Sequence, residues 1–116
     1  MVNQTGKPLD PQLFIGPVSA GSTALFVPAN KRTDFGFGGL GLLEANGTAQ
    51  VTIGCDQVVF IGTQGGIFGD DLTNPVAQGQ ALALQAGLSV PCGDVLTFTY
   101  TAAGSTLRTS YAVAPQ

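Results

Sequence analysis

The chain has 116 residues, 44% of them hydrophobic and 9% charged against the about 25% charge usual in a soluble domain, with 17 glycines and neither histidine nor tryptophan. That length holds one ordinary domain and leaves no room for a second core. The net charge is −3 and the pI near 4.3, and the four cations, Lys7, Lys31, Arg32 and Arg108, form no basic stripe, so no nucleic-acid partner is expected.

Residues 1–17 carry Pro8, Pro11 and Pro17 among Asn, Gln, Thr and Gly, which excludes a helix and predicts an extended amino-terminal arm. Leu13, Phe14 and Ile15 give that arm an apolar anchor, wasteful if solvated, and suited to docking on its own domain or on a neighbour. The arm lacks the basic region followed by a hydrophobic stretch that marks a signal peptide. Residues 18–116 are then expected to form the single β-domain.

Residues 22–28, Ser-Thr-Ala-Leu-Phe-Val-Pro, predict a short strand ended by proline, followed by a polar turn over 29–33. Residues 34–43 place four glycines among apolar side chains. Glycine inside a strand marks a bulge or the close approach of another backbone, so Phe35, Phe37 and Leu40 read either as part of a bulged core strand or as a surface packing on a partner chain.

Asn46-Gly47 is a strong tight-turn dipeptide, and Ala49, Val51 and Ile53 alternate with polar residues, which predicts a hairpin joining residues 40–44 to 48–53. Val58-Val59-Phe60-Ile61 is continuous rather than alternating, as in a central strand buried on both sides. Residues 64–74 predict a loop rich in Gly and Asp. Within 76–90 the Ala-Leu-Ala-Leu-Gln-Ala run contains good helix formers, but Gly79 and Gly87 bracket it and Leu82 and Leu84 alternate, which favours a strand. Residues 94–101 alternate cleanly, with Leu96, Phe98 and Tyr100 on one face and Thr97, Thr99 and Thr101 on the other; after a turn at 102–105, residues 106–113 return with Leu107, Thr109, Tyr111 and Val113 on one side.

These elements predict an all-β fold of about eight short strands, a compact two-sheet sandwich or small barrel of jelly-roll or immunoglobulin-like topology. No membrane span is expected, because no apolar run reaches the about 18 residues that cross a bilayer. Cys55 and Cys92 are either one disulfide or two small buried thiols.

Chemistry is sparsely equipped. Without histidine there is no usual proton shuttle and no Ser-His or Cys-His pair. Asp70 and Asp71 are adjacent, but a pair of glycosidase carboxylates also needs aromatic platforms. No CxxC spacing is present, and the Gly36 to Gly41 run lacks the Lys-Ser/Thr and helix of a phosphate loop. No enzymatic activity, cofactor or metal is expected, although residues 69–74 have oxygen donors of the kind that hold calcium. Asn3-Gln4-Thr5 and Asn46-Gly47-Thr48 match the glycosylation acceptor pattern.

So few charges leave a weakly hydrated exterior, better suited to being covered by copies of itself or a larger assembly than to a free monomer. With its proline-punctuated arm (1–17), Gly-rich apolar segment (35–43) and Thr-lined strands (94–113), the chain resembles in overall character the small β-rich decoration or cement proteins of tailed bacteriophage capsids. The resemblance covers most of the chain without a diagnostic motif, so no site residue is carried over. It implies a non-enzymatic protein on the virion surface in many copies, often as trimers, bridging major capsid protein subunits; the apolar residues Leu13, Phe14, Ile15, Phe35, Phe37 and Leu40 of this sequence are the candidates for such contacts. The alternative from the residues is a secreted ligand-binding β-sandwich, a carbohydrate-binding or adhesive module using Tyr100, Tyr111 and the loop at 70–74.

Overall fold

The prolines and polar residues that keep the first 16 residues out of a helix leave them as three short strands, β1 (Val2–Gln4), β2 (Leu9–Asp10) and β3 (Leu13–Gly16). A computed structural model of the chain describes residues 1–16, 25–33, 41–54, 60–68, 77–85, 90–103 and 106–115. Among these the later strands are β4 (Phe60–Thr63), β5 (Gly66–Ile67), β6 (Ala77–Gln78), β7 (Leu82–Gln85), β8 (Asp94–Ala103) and β9 (Thr106–Pro115).

The all-β class expected from the turn-punctuated sequence is the one adopted. The described strands form three three-stranded sheets, ordered β1-β8-β9, β2-β5-β6 and β3-β4-β7, packed about one core. The radius of gyration, 13.5 Å, matches a compact chain of this length, for which about 13 Å is typical.

The amino-terminal segment is extended, but it is not an appendage. It gives one strand to each sheet: β1 pairs in parallel with β8, while β2 and β3 pair antiparallel with β5 and β4. Asn3, Leu9, Pro11 and Leu13 are buried along it. Of the two docking targets open to such a segment, its own domain is the one it takes, because alternate side chains have a core to enter.

Continuous apolar character places β4 between β3 and β7, buried at Ile61, Gly62 and Thr63. Gly62 is required there by packing: a Cβ at this position would meet Leu25 Cδ2 at 2.6 Å and Phe26 Cζ at 2.8 Å. β7 confirms the strand reading of the Ala-Leu run over Leu82–Gln85, where pairing with β4 overrides helix propensity. The hairpin β8-β9 is the longest element, ten rungs from Asp94↔Pro115 to Ala103↔Thr106.

Three local expectations are corrected. Of the strand expected over 22–28, residues 22–24 lie outside the described residues and Leu25 to Pro28 is not strand: the chain turns at 25–27 and enters a 3-10 turn, Pro28–Asn30, with proline at its first position. The loop expected over 64–74 contains β5, the centre of its sheet. The Asn46-Gly47 turn does form, with Gly47 N–H donating to Glu44 O at 2.8 Å and Asn46 at φ 61°, but its flanks do not ladder with one another. Each pairs instead with the amino-terminal segment, Leu43 bridging Leu9 and Thr48 bridging Val2. Residues 48–54 keep the expected alternation, with Ala49, Val51 and Ile53 turned to the core.

Candidate functional site

Leu13, Phe14 and Ile15, expected at a subunit contact, are 4%, 7% and 8% exposed and lie opposite Thr63, Gly62 and Ile61 across the β3-β4 ladder. Phe14 also meets Phe26 edge-on at 5.1 Å between ring centres. The triplet fills this chain's own core and offers a neighbour almost nothing. Phe35, Phe37 and Leu40, with Cys55 and the loop at 70–74, lie outside the described residues. Cys92 is disulfide-bonded.

The two tyrosines separate. Tyr100 is fully buried, its hydroxyl 2.7 Å from that of Thr63, whereas Tyr111 is 47% exposed. Tyr111 was expected on the inner face of β9 and does lie on that side, opposite Phe98. The cover over that face reaches Leu107, which lies beside Gly79, and leaves Tyr111 further along the strand open. Asn3, one of the two glycosylation-pattern asparagines, is 0% exposed with its amide nitrogen committed to the carbonyls of Lys7 and Glu44, so the folded chain cannot present it to a transferase.

Among the described residues two exposed features stand out. The first is the outward face of the β1-β8-β9 sheet. Register sets Val2, Thr99 and Ser110 in one row, Gln4, Thr101 and Arg108 in the next, and pairs Thr97 with Ala112. Arg108 is the one charged side chain in those rows, and β9 forms the sheet's open edge, with alternate main-chain groups turned away from β8.

The second is a groove of about 640 Å³ between residues 48–53 and the first half of β8, within the size range of sites that enclose small ligands. Its apolar floor includes Leu13, Ile61, Val90, Leu96 and Phe98, and Asp94 stands at one end. Met1 closes the other end. Met1 exchanges two hydrogen bonds with Ala49, its carbonyl accepting from Ala49 N–H at 3.0 Å and its ammonium donating to Ala49 O at 2.9 Å. Burial lowers the pKa of that ammonium from its ordinary value.

The chain matches no protein-family model, no curated protein and no solved structure.

Its own geometry therefore carries the functional reading. Among the described residues no three His, Cys, Asp or Glu side chains come together as a metal site would need. Asp10, one of the acidic groups, is held by Lys31 at 2.9 Å and accepts from Gln12 N–H at 2.8 Å. What the outward face of the β1-β8-β9 sheet offers is mostly main chain and uncharged side chain, the materials of strand pairing and close packing. Sequence reasoning missed the groove, because its walls come from segments about 45 positions apart that only the fold brings together.

Proposed function

We propose that this chain is a non-enzymatic virion structural protein, a capsid decoration or cement protein that stabilises a shell by contact with coat subunits and with copies of itself. The observation that carries the reading is the outward face and free edge of the β1-β8-β9 sheet. A ten-residue edge strand flanked by Thr, Ser and Ala, with one cation, lacks most of the devices that keep sheet edges apart. Low charge across the whole chain points the same way. The contact surface expected at Leu13 to Ile15 moves in this reading to Thr97, Thr99, Ser110, Ala112 and the β9 edge.

Cosedimentation with assembled capsid shells of tailed bacteriophages, together with native mass spectrometry of the chain alone, tests the proposal. Saturable binding to shells supports it. A chain that stays monomeric at high concentration and ignores shells overturns it.

A second reading, a carbohydrate-binding module, keeps one specific support in the exposed ring of Tyr111. Burial of Tyr100 removes the other ring that reading used. A glycan array separates the two readings, since a decoration protein gives no hits.

A further inference from the structure

Of the four asparagines in the sequence, Asn46 alone precedes glycine. Asn74 precedes proline, whose nitrogen has no proton to lose. Asn3 and Asn30 precede Gln4 and Lys31, and their side-chain amides are committed to carbonyls of the fold. An asparagine followed by glycine has a nucleophile next to it. The glycine main-chain nitrogen, with no Cβ beside it, can reach the side-chain carbonyl carbon and close a succinimide ring. Asn46 stands exposed at its turn, where water reaches the amide and the ring that would form.

The fold holds this reaction back. Gly47 N–H donates to Glu44 O at 2.8 Å, so the proton that must leave is engaged, and Asn46 sits in the left-handed region at φ 61° to allow that bond. Closing the ring rotates the Asn46-Gly47 peptide until its nitrogen faces Cγ, which breaks the bond. β1 opposes the rotation from both sides of the turn. The main-chain N–H of Asn3 donates to Gly47 O at 2.9 Å, and its side-chain nitrogen donates to Glu44 O at 2.9 Å. Val2 bridges Thr48 immediately beyond. One buried residue thus clamps the first and last carbonyls of the turn, from a strand that is itself paired with β8.

We propose that Asn46 is a self-modifying site: it cyclises on Gly47 when the Asn3 clamp opens, and the isoaspartyl product keeps the clamp from closing again. The Gly47 nitrogen gives its proton to water and bonds to Asn46 Cγ, and the side-chain nitrogen leaves as ammonia, taking a proton back. Water then adds to one carbonyl of the succinimide. Breaking the bond from the Gly47 nitrogen to Cγ leaves aspartate, and breaking its bond to the main-chain carbonyl carbon of residue 46 leaves isoaspartate. No group is oxidised or reduced, and water is the one co-reactant.

The two products differ in what they do to the fold. Aspartate keeps the main-chain length and the turn, and adds a negative charge near Glu44 in a chain already at −3. Isoaspartate carries the chain through its side-chain carbon, longer by a methylene, so Gly47 N–H no longer meets Glu44 O and Gly47 O is displaced from Asn3. The isoaspartyl form therefore loosens β1 where it meets residues 47–49 and leaves the β8-β9 ladder alone. The inference does not need the virion reading.

The intact chain is incubated in mildly alkaline buffer beside a blocked peptide of residues 44–48 and beside Asn3→Ala, which removes the side-chain half of the clamp. Conversion is read by peptide mapping and by an isoaspartyl-specific carboxyl methyltransferase. Asn46 is expected to convert at least about tenfold more slowly in the folded chain than in the peptide, equivalent to about 1.4 kcal/mol of holding by the turn. Asn3→Ala, with its β8-β9 amides still protected, converts at least about threefold faster than the native chain. Should Asn3→Ala not fold, the isoaspartyl form separated from the incubated native chain carries the test. Its Asn3 amide exchanges with water at least about tenfold faster than in the unmodified protein, while the amides of the β8-β9 ladder are unchanged. Folded conversion at the peptide's rate, a folded Asn3→Ala no faster than the native chain, or an isoaspartyl form whose Asn3 amide is as slow as before overturns the inference. So does a chain in which Asn30 converts as readily as Asn46.

Discussion

The hydroxyls of Thr63 and Tyr100 lie 2.7 Å apart, both side chains fully buried, on strands of two different sheets. Thr63 has one proton and gives it to the carbonyl of Pro11, so Tyr100 is the donor between the two hydroxyls. A chain of two hydrogen bonds thus ties β8 and β4 to the turn between β2 and β3. Thr63→Val leaves the Tyr100 hydroxyl buried without a partner and the Pro11 carbonyl with the Gly65 N–H alone, at 3.1 Å, and is expected to cost about 2–3 kcal/mol. Tyr100→Phe keeps the Thr63 to Pro11 bond and costs about 1 kcal/mol. Urea denaturation distinguishes them, and equal losses would show that the chain of bonds is not what holds these strands.

Burial raises the pKa of Tyr100 well above its ordinary value of 10, with the Asp10 charge adding to the shift and the Thr63 hydrogen bond opposing it. The unfolded chain releases this phenolic proton near pH 10 while the folded chain retains it. The stability this provides is therefore fully present below pH 10 and is lost as pH rises beyond it, by up to about 1.4 kcal/mol per pH unit. Denaturation midpoints measured from pH 8 to pH 11 should fall more steeply for the native chain than for Tyr100→Phe; parallel curves would refute the assignment.

The parts of this fold legible in the sequence are those whose signals are local. The β8-β9 hairpin showed itself because alternation on both arms agrees with a short turn, and β4 because an uninterrupted apolar run fits only a strand covered on both sides. The pairing of Val2 with Thr99 has no local signal, since its partners are 97 positions apart. Asn46-Gly47 announced its turn correctly, but a turn dipeptide does not say whether its flanks pair with each other, and here Leu9 and Val2 take them. The same blindness explains Leu13 to Ile15: an apolar triplet demands cover without saying whose, and β4 supplies it. The groove was illegible for a related reason. Val51 and Leu96 each look like ordinary inward residues, and only the fold brings their two segments face to face.

Asn3 is the most heavily bonded polar side chain of the amino-terminal segment. Its amide nitrogen donates to the carbonyls of Lys7, Glu44 and Leu43 at 2.8, 2.9 and 3.3 Å, and its oxygen accepts from the N–H and hydroxyl of Thr5 at 3.0 and 2.6 Å. These bonds hold β1 against the Asn46-Gly47 turn. Asn3→Ala removes these bonds together and leaves a void where the buried amide sat, although the carbonyls of Leu43, Glu44 and Lys7 keep the Leu9 N–H, the Gly47 N–H and the Thr5 hydroxyl, and is expected to cost about 1–3 kcal/mol. Asn3→Asp costs more at pH 7, since a carboxylate there faces three carbonyl oxygens without a proton to give. Protonation restores one donor, so the gap between the two variants narrows as pH falls toward 4. A constant gap in thermal melts across that range would exclude this account.

Cys92 is disulfide-bonded, and the sequence contains one other cysteine, Cys55, 37 positions away. A cross-link over a loop of that length removes enough freedom from the unfolded chain to stabilise by about 2–4 kcal/mol. Cys92 lies at an exposed turn just ahead of β8, where a reductant can reach it. The bond also anchors residues 90–93, which line one end of the groove, so opening it loosens that end before the β8-β9 ladder is disturbed. Reduction is therefore expected to lower the urea midpoint and to speed amide exchange at Val95 ahead of Tyr100. Cys92→Ala should reproduce the reduced protein's midpoint in full and respond to reductant no further. A variant that still shifts on reduction, or a native chain whose midpoint ignores reductant, would rule out a stabilising bond at this position.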